Sequence, residues 1–83
     1  MTAHRSGTEV ALIYVKAVEL RDRIEELDTD DPGLALDNVA LNLAIRSRWQ
    51  AGSNEYKYNR LRDAIVNAEA GLQKYQYVTE AKS

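Results

Sequence analysis

Two stretches of this chain space their apolar residues at alternating intervals of three and four. In the first, Val10, Ile13, Ala17, Leu20, Ile24 and Leu27 are separated by 3, 4, 3, 4 and 3 residues. In the second, Tyr58, Leu61, Ile65, Ala68, Leu72 and Tyr75 repeat that series. A half-buried strand alternates with a period of two, so this spacing puts each set on one face of an α-helix and marks the face as a packing seam. Two such seams within 83 residues leave room for a single domain and for little besides helix. Read alone, the run Val10 to Val15 favours a strand. The seam that continues through it decides for helix.

Local punctuation places the helix ends. Ser6 and Glu9 have the spacing of a capping box, and Asp28-Thr-Asp-Asp31 closes the first helix. Asp31 before Pro32 starts a second, with Asp as N-cap and Pro at the first helical position. Gly52 offers a left-handed stop and Ser53 the next N-cap. The expectation is an all-α, up-down-up antiparallel bundle with helices over 9–27, 32–51 and 54–77, and flexible tails at 1–7 and 79–83. On the second helix, Asn38, Asn42, Arg46 and Gln50 form one polar row. The wide apolar arc beside that row implies a helix wedged between its two neighbours and the most buried of the three. Gly71, inside the third helix, costs about 1 kcal/mol against alanine, and nothing in the sequence accounts for it.

Little in the chain points to catalysis. His4, its one histidine, lies in the N-terminal tail, away from any carboxylate cluster that could position it as a base. No nucleophile elbow, glycine-rich phosphate loop or pair of histidine ligands occurs. Asp28, Asp30 and Gly33 match three positions of a calcium-binding loop, but Pro32 and Val39 stand where the fifth and twelfth ligands are needed. Helix capping explains these aspartates better. The expectation is no enzyme, no catalytic residues, no metal and no cofactor. With no cysteine there is no disulfide framework, which suits a reducing cytoplasm. Residues 1–7 are too short and polar for a signal peptide, and no apolar run approaches the roughly 20 residues of a membrane span.

An apolar share of 45% and a charged share of 29% are those of a folded domain rather than a disordered tail. The net charge is only −2, yet it is unevenly spread. Glu19, Asp22, Glu25, Glu26, Asp28, Asp30 and Asp31 outweigh Arg21 and Arg23, a net of −5 over 19–31. Arg46, Arg48, Lys57, Arg60 and Arg62 outweigh Glu55, a net of +4 over 46–62. An up-down-up bundle sets these segments at opposite poles. Lys57 and Arg60 crowd the positive start of their helix, a locally unfavourable placement of the kind that invites a functional explanation.

Aromatic residues join the cations at the basic pole. Arg46, Arg48, Trp49, Tyr56, Lys57 and Arg60 have the composition of a protein-binding hot spot. Nucleic acid is the alternative partner, but these cations flank a packing seam instead of forming one outward stripe. A second apolar face, Ala11, Leu12, Val15 and Val18, lies opposite the first helix's seam and points to a homodimer. The expected role is that of a small adaptor, chaperone or inhibitor acting on a protein partner, of the kind a phage or mobile element can carry. A nucleic-acid-binding regulator comes second, and a subunit polymerising acidic pole to basic pole third. No membrane partner is expected.

Overall fold

The computed structural model describes residues 5–82. Three helices make up the fold: α1 (Gly7–Glu26), α2 (Pro32–Ser47) and α3 (Asn54–Lys82). Every pair of helices is in contact. The side-chain pairs Arg21–Asn42 and Glu25–Asn38 run in opposite senses along α1 and α2, and Arg5 meets Asn54 and Glu55 at the start of α3. The order is therefore up-down-up. No strand occurs among the described residues, and 10–15 is helical throughout.

Both seams face inward. Val10, Ala17, Leu20 and Ile24 of α1 meet Leu61, Ile65, Ala68 and Leu72 of α3, with Leu34, Leu41, Ala44 and Ile45 of α2 completing the core. Ile13, Tyr58 and Tyr75 pack at its margins, whereas Leu27 is exposed beyond the end of α1. The capping box forms as expected: Glu9 N–H donates to Ser6 Oγ at 3.1 Å, and Ser6 N–H donates to Glu9 Oε1 at 3.2 Å. At the start of α2, Leu34 N–H donates to the Asp31 carboxylate at 2.9 Å. Asp28 leaves α1 with φ of 48°, the left-handed conformation that Asp tolerates better than most residues.

Three expectations need correction. First, α2 ends at Ser47, not Ala51. The buried Ser47 hydroxyl donates to the Ala44 carbonyl at 2.6 Å, the acceptor that Arg48 N–H would use in a continuing helix. Arg48, Trp49 and Gln50 instead donate three residues back, to Ile45, Arg46 and Ser47, and Gly52 occupies the turn with φ of 152°. Second, α3 runs through 79–82, the stretch expected as a tail. At 1.5 Å per residue, its 29 residues account for most of the molecule's 50 Å length. The radius of gyration is 14.2 Å, against about 12 Å for a compact domain of this size, because the long α3 makes the molecule elongated.

Third, α2 is not a wedge. Contact between α1 and α2 is the sparsest of the three pairs, and it is partly polar. Asn42 Oδ1 accepts from Arg21 at 3.4 Å, and Asn38 donates to Glu25 at 3.2 Å. Asn38 and Asn42 of the polar row thus face α1, while Arg46 and Gln50 are exposed and part of the apolar arc turns outward.

Candidate functional site

The turn between α2 and α3 lies at the same end of the bundle as the start of α1, because the first and third helices run the same way. That end gathers the aromatic and basic residues. Arg48 lies over two rings, with its guanidinium carbon 4.4 Å from the centre of Tyr14 and 4.6 Å from that of Trp49. Tyr14 and Trp49 meet edge to face at 5.8 Å and 78°. Trp49 is nevertheless 69% exposed. A large aromatic surface is therefore presented to solvent while its orientation is held by two neighbours on different elements.

On the α3 side of the same end, Arg60 donates to the Tyr56 hydroxyl at 3.1 Å. The Tyr56 and Lys57 side chains close over Gly52, where a β-carbon would lie 3.4 Å from the Tyr56 ring. Of the six residues expected to bind a partner, Arg48 and Trp49 thus form one cluster and Tyr56 and Arg60 another, with Lys57 beside the turn. Arg46 is exposed on α2 and belongs to neither.

Two contributors escaped the sequence pattern. Tyr14 sits next to the α1 seam, and only the bundle topology brings it to Trp49. Arg5 falls in the expected tail, yet it ties the start of α1 to the start of α3. It pairs with Glu9 at 3.0 Å and Glu55 at 3.2 Å, lies 4.0 Å over the Tyr58 ring, and its carbonyl accepts from Asn54 at 3.1 Å. The hydrogen bond from Arg5 and, above all, that from the Ser6 backbone hold the Glu9 carboxyl below the usual range. The Glu9 carboxylate in turn raises Arg5.

The apolar face expected on α1 is only partly open. Leu12 and Val15 are exposed, whereas Ala11 is half-buried and Val18 packs against the core. A larger open apolar face lies on α2, at Leu36, Val39, Ala40 and Leu43. Beside it, a groove of about 650 Å³ separates the first turns of α2 from the C-terminal half of α3. Asp37 lines it, packed where a β-carbon on Gly71 would stand. That contact is what the glycine in α3 permits.

His4 lies outside the described residues. Among those described, no group of three His, Cys, Asp or Glu side chains is placed to hold a metal ion. No helix among them is long and apolar enough to cross a membrane. No family model, curated protein or solved structure matches this chain.

Proposed function

We propose that the protein is a non-enzymatic helical binding module that engages a protein partner through the aromatic and basic end of the bundle. The observation that carries this is the exposed Trp49 braced by Tyr14 and Arg48. Interface hot spots are enriched in tryptophan, tyrosine and arginine. A ring held before binding loses less freedom when a partner closes over it. Such a module acts as an adaptor, chaperone or inhibitor, by bridging or occluding its partner.

The state of the cations supports a protein partner over nucleic acid. Arg5 is engaged by Glu9 and Glu55, Arg62 pairs with Asp63, and Arg48 lies over two rings, which leaves Arg46, Lys57 and Arg60 split between α2 and α3. Phosphate binding draws on several unpaired cations along one track and falls steeply with salt.

Affinity capture from the native host, with and without nuclease, supplies the partner. Trp49→Ala is expected to weaken its binding by about 2 kcal/mol or more, with weak dependence on salt. Being exposed, the ring contributes to folding mainly through its stacking, so the same change should cost only about 0.5–1.5 kcal/mol of stability. Capture that vanishes with nuclease, or binding to random DNA at physiological salt that ignores Trp49→Ala, would overturn the proposal in favour of the nucleic-acid alternative.

A further inference from the structure

The outer face of α2 is a second packing seam on which none of the described residues packs. Leu36, Val39, Ala40 and Leu43 follow one another at intervals of 3, 1 and 3, the spacing with which a helix packs on a helix. They point away from Leu34, Leu41 and Ile45, the side of α2 buried in the core. Leu36 is 71% exposed, Val39 57% and Leu43 46%. Next to Leu36 the seam opens into the α2–α3 groove, whose walls add Tyr75 and Val78. A standard interface buries about 800 Å² per partner, out of a total surface here of 5829 Å². The groove walls extend the apolar area that the seam offers.

Charge at the two ends of the seam selects the occupant. Asp28 and Asp30, both exposed, stand in the turn before α2. Arg46, also exposed, continues the Val39 row seven residues on. The seam is thus acidic at one end and basic at the other, with its middle, between Val39 and Ala40, at the midpoint of Pro32–Ser47.

We propose that this face binds a second copy of the chain, with the two α2 helices antiparallel about a twofold axis at Val39 and Ala40. That register overlaps both helices along their whole length. It lays Leu36 of each chain against Leu43 of its partner, and brings Arg46 of each towards Asp30 of the other. A parallel register would set like charge against like, and would align the helix dipoles instead of opposing them. The contact is isologous, so it closes as a dimer and does not propagate into a filament. It does not rest on the function of the Trp49 end.

Sedimentation velocity of the full chain from about 1 µM to 1 mM tests the proposal. The expected result is a monomer–dimer equilibrium within that range. Val39→Lys with Leu43→Lys should weaken dimerisation at least tenfold without loss of helicity, since both side chains are exposed in the monomer. Leu12→Lys, on the open part of α1, should leave it unchanged. Asp30→Arg and Arg46→Asp should each weaken self-association, and an equimolar mixture of the two variants should form heterodimers, because both cross-chain pairs are then attractive. A protein that stays monomeric throughout overturns the proposal. So does a dimer that survives the double lysine change, or one broken by Leu12→Lys. Failure of the mixed variants to associate would overturn the antiparallel register.

Discussion

Single residues at the start of α1 do more than end a helix. Ser6 and Glu9 satisfy each other's backbone donors, while Arg5 links that cap to Glu55 and Tyr58 on α3. The cap is therefore also a tertiary contact, and it titrates. Glu9 has a folded pKa below its unfolded value, through the Ser6 N–H first and Arg5 second. Its contribution to stability is fully present above the unfolded carboxylate range and is lost as pH falls through the depressed folded value. Thermal melts across acid pH should show this. Glu9→Gln is expected to lower the midpoint near neutral pH and to flatten the decline on acidification. An unchanged slope in the variant would assign the acid sensitivity to other carboxylates.

At the scale of elements, α2 and α3 are joined by an arrangement that inverts an ordinary propensity argument. Glycine in the middle of a helix costs about 1 kcal/mol relative to alanine, yet Gly71 lets the Asp37 side chain lie against the backbone of α3. A β-carbon there would force the carboxylate out towards the groove it lines. Gly71→Ala should accordingly lose the usual gain, with a net destabilisation of up to about 1 kcal/mol. In an Asp37→Ala background the same change should stabilise by about 1 kcal/mol. A double-mutant cycle by urea denaturation measures the difference. Additive effects would mean that Asp37 moves aside at no cost and that the glycine serves no packing purpose.

Over the whole molecule the three interfaces are unequal. Contact between α2 and α3 is the most extensive, and that between α1 and α2 the sparsest. The α1–α2 interface includes Arg21, Asn42, Glu25 and Asn38, whose Oδ1 is buried without a partner. An unpaired buried oxygen costs about 1–3 kcal/mol, a penalty that falls on the interface with the least contact. Native-state hydrogen exchange should therefore show α1 opening at a lower free energy than the α2–α3 pair, which should persist to the global transition. Uniform protection of all three helices would make the bundle one cooperative unit.

Much of this architecture is written in local chemistry. The 3-4-3-4-3 spacings specify the inward faces of α1 and α3, because a face with that period has one favourable way to be buried. Ser6, Asp31 and Pro32 mark helix starts through bonds made within four residues, so those starts are legible without a fold. The basic and aromatic composition of the Trp49 end is equally plain. What α2 does is not local. An arc of leucine, valine and alanine wider than a seam can be buried from either side, and the choice fell on contacts with distant residues. Arg21 and Glu25 draw Asn42 and Asn38 towards α1, and Asp37 settles on Gly71, which together turn Leu36, Val39 and Leu43 out to solvent. The bracing of Trp49 by Tyr14 is of the same kind. It joins residues 35 positions apart, and becomes visible only once the helices run up, down and up.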